Sequence, residues 1–382
     1  MFHPITIPTF SFAQDICLLN SFFADLISEI MSPEHLLTGA KWLAVAIAVI
    51  VSAIYLHLFI KKRDFFYKKR IRIHLEDWIT QVIMEEEIDT DKLLHNFRRI
   101  LFSRAARQFA IDELIVCKKN FSGGVTENII WLYLQLGLKK DSLHKLRNTA
   151  PWHIRAKGIQ ELYLMEQQDV LKTIYKNTNS NNEFVRMEAQ TGVINLTGFP
   201  GLRFLDVVSY PITEWQQLKL LEQLHLHPVK QDLSDKIPHW LQATNTTVIV
   251  FALKLADEYQ VYSVRDQVMA CMAHADKTVR SQALKTLVRL ADETTPATLA
   301  GYFPKESPAN QLYILDALRT LATENETDFL VSLLDHENDT VKLKAAVVLA
   351  EVAETGMELI TEKSRLQPEP FERICRHIKT IK

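Results

Sequence analysis

A pattern of one capping, one small and one bulky apolar side chain returns every 31 or 32 residues through more than half of this sequence. Taking Ile154-Arg155, Val185-Arg186, Gln216-Gln217, Val248-Ile249, Val279-Arg280, Asn310-Gln311 and Val341-Lys342 as positions zero and one, the intervals are 31, 31, 32, 31, 31 and 31 residues. Four positions later stand Gly158, Ala189, Leu220, Ala252, Ala283, Ile314 and Ala345. Eight positions later stand Leu162, Val193, Leu224, Ala256, Leu287, Leu318 and Leu349. Steps of four keep these side chains on one helical face, and a small residue at its middle lets a second helix approach closely. Each unit is therefore expected to open with an amphipathic helix of about 13 residues.

The starts of these helices recur too. Three residues before position zero come Asn182, Thr213, Asn245, Asp276, Ser307 and Asn338, all side chains whose oxygen can accept a hydrogen bond from an orphan helix N–H. The first unit has Pro151 there, a residue suited to a first helical turn. Twenty positions after zero lie Ile174, Leu205, Val268, Leu299 and Leu330, with Lys236 and Thr361 breaking the series. This second cluster predicts a shorter helix packed antiparallel to the first. One helix pair cannot bury its own apolar face, so the units must stack into a common core.

The stretches DKTVRSQALKTLVRLA (276–291), NEFVRMEAQTGVINL (182–196) and NDTVKLKAAVVLAEVA (338–353) resemble HEAT-type helical repeats, particularly the short HEAT-like repeats of phycobilisome lyases. The resemblance covers about residues 148–365 and implies an all-α solenoid of about seven 31-residue helix pairs, a curved rod on the order of 60–70 Å long. It is unspecific for function. The units at 216 and 310 lack the Val-Arg pair and share only the phase.

A second feature lies upstream. Residues 40–60, AKWLAVAIAVIVSAIYLHLFI, form an apolar run with one edge charge, Lys41, long enough as a helix to span the roughly 30 Å of a bilayer core. Lys61, Lys62, Arg63, Lys68, Lys69, Arg70 and Arg72 follow, opposed by Asp64, whereas residues 1–39 contain no Lys or Arg. By the positive-inside rule this predicts a single-pass protein of the inner (cytoplasmic) membrane, with the N-terminus outside and the repeats cytoplasmic. A cleaved signal peptide fits poorly, since positive charge is missing ahead of the run. Lys61, Lys62, Arg63, Phe65, Phe66, Tyr67, Lys68, Lys69 and Arg70 are the expected membrane-interface residues, aromatic rings dipping in while cations meet anionic lipid.

The expected organisation is thus a short extracytoplasmic segment (1–39), a transmembrane helix (40–60), a basic juxtamembrane linker (61–72), a helical cap or degenerate repeats (73–147), HEAT-like repeats (148–365) and a C-terminal capping helix (366–382). Within 1–39, residues 15–31 carry an apolar stripe at helical spacing, suited to a membrane surface or a partner helix or to no fixed order at all. In the terminal segment Phe371, Ile374, Cys375, Ile378 and Ile381 share a face.

Chemistry is sparse. Residues 73–382 hold 36 Lys+Arg against 41 Asp+Glu, which argues against a nucleic-acid groove. His225, His227 and His239 lack a completing carboxylate or Cys, and two residues apart on a helix the first two diverge. Cys117, Cys271 and Cys375 read as reduced core thiols, and Cys17 stands alone on the outer side. Glu85, Glu86, Glu87, Asp89 and Asp91 read as a solvated turn and helix start. Arg155, Arg186, Arg280 and Lys342 are expected to bond caps and carboxylates between units. No catalytic, metal or cofactor site is expected. The leading expectation is a non-enzymatic scaffold whose partners are the lipid bilayer and another protein, itself membrane-associated, and not nucleic acid, as in an accessory subunit of an envelope assembly. The alternative is a cofactor-handling or lyase-type HEAT-like enzyme, with Tyr210, Trp215, His239 and Trp240 lining a pocket.

Overall fold

The computed structural model describes Ser21, Ala24 and residues 33–84, 89–147, 149–227 and 231–381. The stripe over 15–31 and Cys17 otherwise lie outside the described residues, as do Glu85, Glu86, Glu87 and the side chain of Ile381. The described residues contain helices and no strand. They fall into two compact units, residues 1–136 and 137–382.

The first unit is built on one long helix, α1 (Pro33–Ile83). It does not break at the basic residues; the segment read as a linker is helical and continuous with what precedes and follows it. The helix has two unlike parts. Residues 34–60 are exposed throughout, whereas Ile71, Leu75, Trp78 and Ile79 are buried. These last four pack with α2 (Thr90–Ile100), α3 (Arg104–Asn120) and α4 (Gly124–Gln135), which contribute Phe97, Ala106, Ala110, Ile111, Leu114, Ile129 and Leu132 to the same interior. Asp89 caps α2 by accepting from the Lys92 amide at 3.0 Å, and Ser103 caps α3 by accepting from Ala106 at 3.2 Å. Asp89 is therefore a helix start, in line with the solvated-turn reading.

The second unit carries the repeat. Its leading helices are α6 (Trp152–Leu164), α8 (Glu183–Thr197), α9 (Glu214–His225), α11 (Thr246–Glu258), α13 (Lys277–Arg289), α15 (Pro308–Leu321) and α17 (Asp339–Val352). Each begins within one to three residues of the expected start. Asn182, Thr213, Asn245, Asp276, Ser307 and Asn338 all accept a hydrogen bond from a backbone N–H two or three residues on. The residues at positions four and eight are buried in all seven, position four being Gly or Ala in five of them and Leu220 and Ile314 in the others. At Gly158 the reason is visible: a Cβ there would lie 2.7 Å from Lys145 Cβ and 2.9 Å from the Ser142 carbonyl, because α5 (Leu138–Lys145) crosses α6 at that point. Beside this crossing Lys145 Nζ meets Glu161 Oε1 and Oε2 at 2.6 and 2.5 Å and Ser142 Oγ donates to Glu161 at 2.6 Å, a fully enclosed ionic triad.

The second segments of the units are short and partly 3-10: α7 (Leu171–Tyr175), a 3-10 turn Phe199–Asp206, α10 (Ile237–Trp240), α12 (Arg265–Ala270), α14 (Thr295–Tyr302), α16 (Thr327–Ser332) and α18 (Gly356–Leu366). Ile174, Leu205, Val268, Leu299 and Leu330 are their buried plugs. The two units in which the plug was missing are corrected by one residue. Lys236 and Thr361 are exposed, and the buried side chains are their neighbours Ile237 and Ile360. From Ile194 to Ile378 the buried side chains form one continuous apolar core, and α8 contributes also to the core of the first two units. At its end α19 (Pro368–Ile381) buries Phe371, Ile374 and Ile378 against α17 and α18.

Position one has a different role from the expected one. Arg186 donates to the Ser180 carbonyl at 2.7 Å and Arg280 to the His274 and Ala275 carbonyls at 2.8 and 2.9 Å, both in the turn just before their helix. Gln217 and Gln311 do the same to Ile212 and Phe303 at 3.2 and 3.1 Å. The units at 216 and 310 thus keep the hydrogen-bonding function of position one with a neutral donor, whereas Ile249 in the unit at 248 has no polar group to offer. Only Arg155, to Asn177 at 2.8 Å, and Lys342, to Asp339 at 2.9 Å, bond mainly to side chains, and Arg280 has Glu306 as a further contact at 3.9 Å.

Candidate membrane and partner interfaces

On α1, Lys61, Lys62, Arg63, Phe65, Phe66, Lys68, Lys69 and Arg70 are exposed. Tyr67 departs from the expected pattern. It is half-buried, its hydroxyl donates to the Ile100 carbonyl at 2.8 Å, and its ring meets Phe102 edge-on at 5.9 Å. The side chain expected to dip into lipid instead ties α1 to the corner between α2 and α3. Two shallow grooves flank it. One, of about 470 Å³, is lined by Phe59, Lys62, Arg63, Phe66, Tyr67 and Arg70. The other, of about 380 Å³, runs along Phe65, Lys68, Lys69, Arg72, Ile73, Glu76 and Phe109.

The basic residues are not equivalent electrostatically. Lys68 pairs with Asp64 at 2.7 Å, one helical turn away. Arg72 forms a two-pronged pair with Glu113, Nε to Oε2 at 3.1 Å and a terminal nitrogen to Oε1 at 2.6 Å, and the hydrogen bond it donates to that carboxylate raises its already high pKa. Both cations also stand 5.7–5.8 Å from the Phe109 ring. Lys68 and Arg72 therefore serve the fold of the first unit as much as any external anion.

In the second unit the exposed apolar surface concentrates on the first turns of three successive leading helices. Trp152 and Phe184 stack at 4.8 Å with their planes 22° apart, and both are about half exposed. Trp215 and Leu218 are 65% and 66% exposed one unit further on, with Lys219 Nζ 5.7 Å above the Trp215 ring. Trp152 stands two positions before zero in its unit, Phe184 and Trp215 one before; Thr247, Thr278, Ala309 and Thr340 stand one before in the later units. The aromatic edge thus belongs to one end of the array. Sequence reading missed it because Trp152 and Phe184 were not singled out and Trp215 was placed in a cofactor pocket; their phase outside the buried face was the available signal.

No protein-family model matches the sequence, and no curated protein matches it. Among solved structures the chain is similar to an engineered protein (13% identity, TM-score 0.37, covering 75% of this chain and 86% of that one). It is also similar to human deoxyhypusine hydroxylase in complex with glycerol (13% identity, TM-score 0.29, 75% and 97%). A third is the complex of CpcE and CpcF of phycocyanin lyase from a Nostoc species (10% identity, TM-score 0.23, 65% and 92%). Likenesses this loose carry no argument about activity; the helical-repeat architecture rests on the phase, caps and core of this chain.

The remaining polar candidates are dispersed. His225 Nε2 lies 3.0 Å from Glu258, His227 packs its ring on Gly198, and His239 is exposed 3.9 Å from Asp206. No group of three metal-binding side chains converges among the described residues. Cys271 is buried and Cys117 half-buried, and burial pushes both thiols up. Of the four side chains expected to line a cofactor pocket, Trp240 is buried with its indole N–H donating to Asp206 at 2.7 Å, Tyr210 lies beneath Arg186 at 4.5 Å, and Trp215 faces outward. A cleft of the second unit, about 650 Å³, is lined instead by Leu171, Lys172, Tyr175, Lys176, Arg203 and Asp206 among others, and by none of those four.

Proposed function

We propose that this protein is a membrane-tethered, non-enzymatic scaffold: residues 40–60 cross the bilayer once, the basic residues after them face cytoplasmic headgroups, and the repeat unit binds another protein of the same membrane. The observation that carries the tether is the state of α1. Its most apolar 18-residue window has a mean hydropathy of 2.6 and no part of it is buried. A helix of the soluble interior would bury such a face, and water tolerates an uninterrupted apolar surface of this length poorly. The charge asymmetry across the run supports the orientation.

The partner reading rests on the aromatic edge at Trp152, Phe184 and Trp215. Large rings exposed side by side on a rigid repeat are the kind of side chain that dominates protein interfaces. A tethered array also meets a membrane partner at raised effective concentration, so modest contacts suffice. Two measurements test this. Membranes washed with alkaline carbonate should retain the full chain; release into the supernatant overturns the tether. A photo-crosslinking amino acid in place of Trp215 should give one discrete protein adduct in intact cells, lost on competition by excess wild-type chain. A diffuse smear or no adduct overturns the scaffold reading. The cationic cleft around Lys172, Lys176 and Arg203 is the one feature favouring the cofactor-handling alternative, and a visible absorption band in the purified protein would decide for it.

A further inference from the structure

The corner between α2 and α3 carries a feature that the tether does not require. Phe102 stands there 79% exposed, the highest value of any large apolar side chain in the described residues, with Arg98, Arg99 and Arg104 exposed around it. From residue 92 to residue 111 there are five Lys or Arg and no Asp or Glu. The acidic residues nearest in sequence to Arg98, Arg99 and Arg104 are Asp91 and Asp112, seven and eight positions away, whereas the second unit as a whole is balanced to slightly acidic. The Tyr67 bond to Ile100 and ring contact with Phe102 hold the corner against α1. Tyr67 lies seven residues beyond Ile60, or about 10 Å along the helix. The headgroup layer extends about 5–8 Å past the hydrocarbon on each side. The corner is therefore level with the outer edge of that layer, within reach of an arginine side chain.

We infer that the α2–α3 corner is a second membrane contact, in which Phe102 enters the headgroup region and Arg98, Arg99 and Arg104 hold anionic phospholipid. This inference rests on the tether reading. Charge complementarity and continuity with the apolar run favour an anionic bilayer over any other occupant: rings at the boundary and cations around them suit an interface with acyl chains on one side and phosphates on the other. The corner then acts with the exposed cations of α1 as a two-point footing, so that the first unit lies against the membrane and cannot swing freely about the span.

The test uses the full chain with its four cysteines changed to serine and a nitroxide placed through Phe102→Cys or, separately, Ile47→Cys, in vesicles of phosphatidylcholine alone or mixed with phosphatidylglycerol. Collision with oxygen against collision with a water-soluble nickel chelate reads immersion. The label at 47 should be immersed in both lipids. The label at 102 should be immersed only with phosphatidylglycerol, and should return to water when Arg98→Gln, Arg99→Gln and Arg104→Gln are combined. A label at 102 in water in both lipids, with 47 immersed, overturns the second contact and leaves the tether standing. A label at 47 in water overturns both. A label at 102 shielded from both reagents, with spin–spin broadening that disappears on dilution with unlabelled chain, identifies a contact between copies and overturns the lipid assignment.

Discussion

Gly158 shows what one side chain decides. Its Cβ-less backbone lets the Ser142 carbonyl and Lys145 come within contact, and a methyl there would meet main chain that cannot swing aside. Gly158→Ala gains about 1 kcal/mol of helix propensity and incurs about 1–3 kcal/mol of overpacking, so the net expectation is destabilisation on the order of 1 kcal/mol. Gly301→Ala, in the helix α14 with nothing within 4 Å of the added methyl, should instead stabilise by up to about 1 kcal/mol. Urea denaturation of the two variants checks both signs. The same scale explains which readings were possible from sequence. A small residue at position four is written in the chain itself. The inward turn of Tyr67 is not, because its partner Ile100 lies 33 residues away. The substitution of Gln for Arg at 217 and 311 was invisible for another reason: pattern matching compares charge and shape, while the position requires only an N–H aimed at a carbonyl.

Among elements, the leading helices were legible in full and their companions only in part. A cap bonds an amide two or three residues on, so its phase survives in the sequence, and all six capping side chains accept the expected bond. The companions are short, half 3-10, and joined by turns whose length varies by a residue, which is why a fixed count of twenty lands on Lys236 and Thr361 beside the buried Ile237 and Ile360. One cap adds a pH dependence. The Thr278 hydroxyl and amide bonds hold the Asp276 carboxyl below its ordinary value. A folded pKa below the unfolded one gives stability that is present above the unfolded value, near pH 4, and is lost as pH falls through the folded one. Asp276→Asn keeps an acceptor oxygen and removes that titration. Its melting temperature should lie slightly below wild type at pH 7, and the gap should close between pH 4 and 2 on the order of the carboxylate range, as read by circular dichroism.

For the molecule as a whole, stability in the second unit belongs to the stack. Ion pairs link successive units, as in Arg319–Glu351 at 2.6 Å, but exposed pairs of this kind contribute about 0–1 kcal/mol each. The continuous core from Ile194 to Ile378 carries the load, and α19 closes it. Phe371→Ala should cost about 3–5 kcal/mol locally. Hydrogen exchange should show protection falling in α17 to α19 first, with α8 and α9 little changed, because each unit touches only its neighbours. Equal loss throughout the stack would contradict that quasi-linear behaviour.

The unbroken passage of α1 from apolar surface into a packed interior has a mechanical corollary. In the tethered state no flexible joint stands between lipid and protein, so a thinner or thicker bilayer that changes the lean of the span must turn Ile71, Leu75 and Trp78 with it. Membrane thickness then becomes an input to the posture of the first unit, delivered through a stiff lever.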